Sequence, residues 1–163
     1  MKRRDFFGAT AALALGVSLA TGAMAQDKTF VIGVSIPSAT HGFMGGLNWH
    51  AQQTIERLEA TYPQLDFVLA TAGEPGKQVD DLEDMLATRN IDGLVVLPFE
   101  SEPLTGPVKA VKDAGKWVTV VDRGLSQPGI EDLYVAGDNT AFGQVAGEYF
   151  KANLQSGAKI VVL

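Results

Sequence analysis

An α/β fold, with a parallel sheet and helices on both faces, is predicted from three features of the sequence. Short apolar runs rich in β-branched residues alternate with stretches of helical spacing. The runs are continuous rather than alternating, as strands buried on both faces require. Most runs are followed by a helical stretch, and repeated strand–helix units pack as a parallel sheet.

The elements follow in order. Thr29–Ile36 (TFVIGVSI) is the first strand. Gly42–Gly46 reads as a glycine-rich loop, and from about Gly45 to Thr61 the residues Leu47, Ala51, Ile55 and Leu58 recur at helical spacing. Tyr62-Pro63 ends that helix, because the residue before proline is pushed out of the helical region. Asp66–Thr71 is the second strand, and Gly73–Gly76 is a loop. Lys77–Arg89 is a helix with Val79, Leu82 and Leu86 inward. Its acidic residues Asp80, Asp81, Glu83 and Asp84 read as a solvated face rather than a metal site. Gly93–Leu97 is the third strand, and a helix runs from about Glu102 to Ala114. Ser101 is its expected N-cap, Pro103 sits in its first turn and Gly115 fits its C-terminal cap. Trp117–Val121 is the fourth strand and Leu133–Ala136 a short fifth. Asn139 is a candidate cap for a helix to about Gln155, whose apolar side carries Phe142, Val145, Ala146, Tyr149 and Phe150. Lys159–Leu163 opens a sixth strand.

The chain has 163 residues, 46% hydrophobic and 20% charged, which is a globular composition. A formal charge of -6 argues against nucleic-acid binding, which needs a basic face. The absence of cysteine excludes disulfides, thiolate zinc sites, cysteine nucleophiles and a lipidated N-terminal cysteine. Lys2, Arg3 and Arg4 precede an uncharged stretch that ends in Ala23-Met24-Ala25. That is the architecture of a signal peptide over residues 1–25. Arg3-Arg4 followed by Asp5-Phe6-Phe7 resembles the twin-arginine export motif. An uncleaved anchor is the alternative, but the stretch is Ala/Gly/Thr-rich and only weakly apolar. Removing the leader takes away three of the 13 basic residues and one of the 19 acidic ones, so the charge becomes more negative. An acidic, cysteine-free, exported chain points to the periplasm.

In open parallel sheets, ligands bind outside the carboxyl ends of the strands. Those ends carry Thr40, His41 and Phe43, then Glu74, then Phe99 and Glu100, then Asp122 and Arg123, then Asp138 and Asn139. A carboxylate accepts hydroxyl hydrogen bonds and a guanidinium donates in a fork, so Asp122 and Arg123 could grip vicinal hydroxyls of a sugar or polyol. Phe43 and Phe99 could cover its apolar C–H face. Other readings stand beside these. Asp122-Arg123 could be a local ion pair capping a strand end, and Phe43 could be a core residue at a helix start. His41 in its loop suits a polar ligand contact, whereas His50 beside Trp49 reads as structural. The sequence has no G-x-G-x-x-G, no G-x-x-x-x-G-K-[ST] and no G-x-S-x-G. No cofactor is expected and nothing demands an enzyme.

The chain resembles periplasmic sugar-binding proteins of bacterial ABC importers, the ribose/galactose-type group related to the ligand-binding half of LacI-type regulators. The resemblance is carried by IGVSIP (32–37) leading to HGF (41–43), Gln78-Val79-Asp80-Asp81-Leu82 and NIDGLVVLP (90–98). It continues through PVKAVKDAGKWVTVVDRG (107–124), VAGDN (135–139) and FGQVAGEYF (142–150). It implies the type I periplasmic binding protein fold with strand order 2-1-3-4-5. It also implies a non-enzymatic solute-binding component that delivers a sugar or polyol to a membrane permease, with a chemoreceptor as a further partner. Matched residue by residue, Phe43 falls on a stacking aromatic, His41 on a neighbouring polar contact, and Asp122 and Arg123 on an Asp-Arg pair. Phe99, Glu100 and Asn139 complete the expected ligand contacts. Met44 stands where ribose binders often carry a second aromatic and Leu97 where they carry a polar contact, which points away from ribose itself. The family has two lobes joined near a hinge. By matching, residues 26–136 form the N-terminal lobe and 137–163 the hinge crossing and the start of a second, incomplete lobe. A flavodoxin-like exported redox domain is the alternative; a flavin absorbance band on purification would distinguish it.

Overall fold

β1 (Phe30–Pro37) pairs on one side with β2 (Leu65–Ala72) and on the other with β3 (Gly93–Val96). β4 (Trp117–Val121) and β5 (Leu133–Val135) extend the sheet beyond β3. Every pairing is parallel, and the order is β2-β1-β3-β4-β5, as the resemblance implies. The structure is a computed structural model that describes residues 29–161. The expected leader over residues 1–25 and the last two residues of the expected sixth strand lie outside the described residues.

The two-residue period of the strands sorts their side chains into two cores. Leu94, Val96, Val118 and Val120 point to one face, against Leu82 and Met85 of α2 (Pro75–Ala87) and Leu104, Val108 and Val111 of α3 (Ser101–Asp113). Val34, Ile36 and Leu97 form a smaller core with Met44 of α1 (Gly42–Thr61) on the opposite face. That face is less completely covered. Leu47, Ala51 and Ile55 are only half-buried, and an apolar groove of about 330 Å³ runs between α1 and the sheet. Gly33 answers the close approach of α2, since a Cβ there would lie 2.9 Å from Met85 Sδ and 3.1 Å from Ile91 Cδ1.

Several boundaries differ from those read in the sequence. The glycines at 42, 45 and 46 are not a loop but lie inside α1, which starts directly after the extended His41. Each glycine weakens a helix by about 1 kcal/mol relative to alanine, and packing of the apolar stripe outweighs that penalty. α2 starts at Pro75, where proline's missing N–H is harmless. Its fully buried residues are Gln78, Leu82 and Met85, while Val79 and Leu86 are half-buried beside them. Ser101 is already helical; Glu100 takes the N-cap position without a side-chain bond. Gly115, at φ 76°, ends α3 as expected.

α4 (Asn139–Asn153) is capped by Asp138 rather than Asn139, because the Asp138 carboxylate accepts from Ala141 N–H at 2.8 Å. α4 has no buried residue, and its apolar side chains Phe142, Val145 and Tyr149 are exposed. Residues 159–161 do not form a strand. Among the described residues, no helix is long and apolar enough to cross a membrane.

Asp132 ties α3 to β4. Its carboxylate accepts from Lys112 and from Val118 N–H, while its own N–H donates to Val118 C=O. The Lys112 bond, then the Val118 amide, hold this carboxyl below the usual carboxylate range. A lowered folded-state pKa stabilises the fold wherever the group is ionised, and the contribution is lost as pH falls through that pKa. Asp132→Asn is therefore expected to melt below the wild type at pH 7, with the gap closing under strongly acidic conditions. Paired thermal melts across that range check it, and a gap that persists in acid would assign the loss to packing instead.

Candidate functional site

The carboxyl ends of β1, β3 and β4 open into one cavity of about 210 Å³, lined by Pro37, Thr40, His41, Phe43, Met44, Leu97, Phe99, Asp122 and Arg123. Five of the residues expected at the site thus converge: His41, Phe43, Phe99, Asp122 and Arg123. Glu100 and Asn139 do not line the cavity. Glu100 is the residue before α3 and Asn139 the first residue of α4, and both are exposed. Thr40 and Met44, by contrast, line it beside the expected contacts. A larger depression of about 670 Å³, around Phe30, Gly93 and Trp117, lies at the amino ends of the strands. That is the wrong end for a ligand in an open parallel sheet.

The β1 contribution is set by the short connection into α1. His41 is extended, with φ -154°, and its C=O accepts from Gly45 N–H at 2.8 Å, so the helix begins beside the cavity. The His41 and Phe43 rings stack with centroids 6.5 Å apart and planes 14° apart. Phe43 is 59% exposed, so a ring face is available to a ligand rather than consumed by the core. The Asn48 amide pins the end of the strand by donating to Pro37 C=O and Met44 C=O, both at 2.9 Å.

The β4 contribution is a tight turn. Arg123 N–H donates to Val121 C=O at 2.7 Å around Asp122, which has φ 61°. A three-residue turn of that hand is rare and strained, and non-glycine residues persist there only when their surroundings hold them. Here Asp122 N–H donates to Val135 C=O at 2.8 Å and Tyr134 O–H donates to Asp122 C=O at 2.7 Å. Thr105 of α3 steadies the following loop through Ser126, whose N–H donates to its Oγ1 at 2.9 Å.

The local ion pair that the adjacent charges allowed is not formed. Among the described residues, the Asp122 carboxylate has no hydrogen-bond or ion-pair partner. Arg123 Nη1 donates instead to Pro98 C=O, at 3.3 Å, and to Phe99 C=O. Arg123 therefore keeps Nη2 and Nε for another acceptor, and Asp122 keeps both carboxylate oxygens. An aromatic face, a free carboxylate and a half-engaged guanidinium around one small cavity can hold a polyhydroxylated ring by its edge and its face. Among the described residues, no three His, Asp or Glu side chains gather as metal ligands would.

The chain is 29% identical over 139 residues to the ribose import binding protein RbsB of Bacillus subtilis (strain 168), covering 85% of this chain and 43% of that one. The chain thus spans less than half the length of that relative. The crystal structure of a periplasmic ribose ABC transporter from Conexibacter woesei DSM 14684 is 25% identical, with a TM-score of 0.65, covering 81% of this chain and 42% of the other. A fructose-binding periplasmic domain of a hybrid two-component system is also 25% identical, with a TM-score of 0.66 over 77% of this chain and 40% of that one. The family described as the periplasmic binding protein domain matches residues 32–163. On that match, which spans most of the chain, the chain belongs to the periplasmic binding protein domain family.

Proposed function

We propose that the chain contributes to the binding of a sugar or polyol in the periplasm, as the solute-binding component of an ABC importer that delivers its ligand to a membrane permease. The observation that carries this reading is the unpaired Asp122 carboxylate beside the half-engaged Arg123 guanidinium and the exposed Phe43 ring. Hydroxyls and C–H faces are the ligand chemistry those three groups share. The ligands named for similar proteins, ribose and fructose, are both of that class. The role is binding rather than catalysis.

The size of the cavity favours a ligand held between two lobes. At about 210 Å³ it is smaller than the roughly 300–1,000 Å³ of ordinary ligand pockets, so a second surface closing over it would complete the enclosure. Residues 26–136 are then the first lobe and 137–163 lead into the second, with residues 1–25 as the export leader. Hinge closure around a ligand is a mode the periplasmic binding proteins exemplify. Isothermal titration of the full-length protein against D-ribose, D-xylose, D-fructose, D-glucose and myo-inositol tests the proposal. Saturable binding of at least one is expected, and no heat from any of them would overturn it.

A further inference from the structure

Gln78 is the one fully buried side chain of α2 that is polar, and the cavity does not contain it. Its carboxamide makes three bonds. Nε2 donates to Ser35 Oγ on β1 at 3.1 Å and to Leu97 C=O beyond β3 at 2.9 Å, and Oε1 accepts from Phe99 N–H at 2.7 Å. The orientation of the amide is dictated by chemistry, since a backbone carbonyl only accepts and a backbone N–H only donates. The Phe99 backbone is thus held on both sides of its Cα. Its N–H is bound by Gln78, and its C=O receives Arg123 Nη1.

We infer that Gln78 is the positioning residue of the ligand site, fixing the 97–99 turn so that the Phe99 and Pro98 carbonyls aim the Arg123 guanidinium into the cavity. The inference rests on the sugar-binding reading of that cavity. The physical reason is the stiffness of a buried amide with every bond made. Freed from Gln78, the turn would leave Phe99 N–H and Leu97 C=O without partners in a site away from water, and would relax to find new ones. Arg123 would follow its carbonyls, and the aromatic Phe99 would move with its own backbone. A glutamine whose only task was to fill the core would be indifferent to where Arg123 points.

Two variants of the full-length protein separate these roles. Gln78→Met keeps the volume and removes all three bonds. Gln78→Glu keeps the shape and, when its carboxyl is protonated, regains one donor for Leu97 C=O while its carbonyl oxygen accepts from Phe99 N–H. The primary readout needs no ligand: the Arg123 guanidinium resonances in arginine-labelled protein and the hydrogen exchange of the Phe99 amide, followed from pH 8 to pH 5. The wild type is expected to show a protected Phe99 amide and a defined Arg123 signal throughout. Gln78→Met is expected to lose both at every pH, with Phe99 exchange faster by roughly tenfold, the equivalent of one net hydrogen bond. Gln78→Glu is expected to keep an acceptor for the Phe99 amide throughout, to lose the defined Arg123 signal at pH 8, where its ionised carboxylate faces the Leu97 carbonyl without a donor, and to recover that signal towards pH 5. Wild-type Arg123 signals in folded Gln78→Met, or in folded Gln78→Glu at pH 8, would overturn the inference. So would the absence of any recovery in folded Gln78→Glu at pH 5. Should Gln78→Met fail to fold, the pH course of Gln78→Glu alone decides. The same samples titrated with D-ribose and D-fructose form the second arm. No binding by the wild type counts against the sugar reading and leaves the resonance result standing. Equal binding by the wild type and Gln78→Glu at pH 8 counts against the positioning role.

Discussion

Asp122→Gly is expected to weaken sugar binding by about 10- to 150-fold while leaving the fold as stable as before or slightly more so. Hydrogen bonds to a charged group contribute roughly 1.5–3 kcal/mol, and that range converts to the stated loss. The stability half of the expectation comes from the backbone. Asp122 has φ 61° inside a strained three-residue turn, and glycine adopts that conformation without a Cβ penalty. Alanine is the poorer probe, because its methyl group would sit in the left-handed region and add a folding penalty of about 1 kcal/mol or more. Asp122→Asn tolerates the turn and retains one oxygen acceptor, so its affinity should fall between those of the wild type and the glycine variant. Calorimetric titration paired with a melting curve for each variant checks both halves. Undiminished affinity in Asp122→Gly would reduce the residue to a turn former.

Leu104→Ala is expected to have the largest effect on stability, about 2–5 kcal/mol. The Leu104 side chain is completely buried in the larger core between α3 and the sheet. Truncation loses its transfer free energy and leaves a cavity that packed neighbours only partly refill. Against a total stability of about 5–15 kcal/mol for a natural domain, that is a large share. Leu47→Ala, on the half-covered α1 face, serves as the contrast and should be milder. Urea titrations should show a lower midpoint for Leu104→Ala with little change in slope. A larger loss in Leu47→Ala than in Leu104→Ala would show that the two faces contribute in the opposite order.

The sheet was legible from the sequence because its information is local. A continuous run such as GLVVL suits a strand covered on both sides, and the helical stretches between the first four runs call for parallel pairings; β5 follows β4 with no helix between and still pairs in parallel. Gly115 was legible for the same reason, since a helix end calls for a left-handed residue. The glycines at the start of α1 were misread as a loop because their propensity is a small local term, and tertiary packing overrides it. Asp138 displaced Asn139 as a cap because both side chains suit the position and only the chain path selects between them.

The site was legible to a lesser depth. Residue type and strand-end position brought His41, Phe43, Phe99, Asp122 and Arg123 to notice, and the structure gathers these five in one cavity. Position alone placed Glu100 and Asn139 in the same group, but one step along the chain at a helix start swings a side chain to a different side. The positive φ of Asp122 was invisible because aspartate takes the left-handed region only occasionally and nothing beside it in the sequence calls for that conformation. Gln78 was hidden by its polarity. A helix read for its apolar stripe takes Val79, Leu82 and Leu86 as inward, whereas the most buried line runs through Gln78, Leu82 and Met85. The signal that could have found it is a glutamine in register with the buried stripe, four residues before Leu82.

The internal place of β1, with a neighbour on each side, bears on the order of events in folding. β1 is the first strand made, yet its two neighbours are residues 65–72 and 93–96, and no hairpin joins any pair. Each pairing must close a long loop before its contacts repay the lost chain entropy, which places such topologies among the slower folders. Until residue 96 has been made, one edge of β1 has no strand to accept it, and a bare strand edge is a template for pairing with another chain. A strand that has a partner on each side in the finished molecule is therefore exposed to misassembly while the chain is being synthesised.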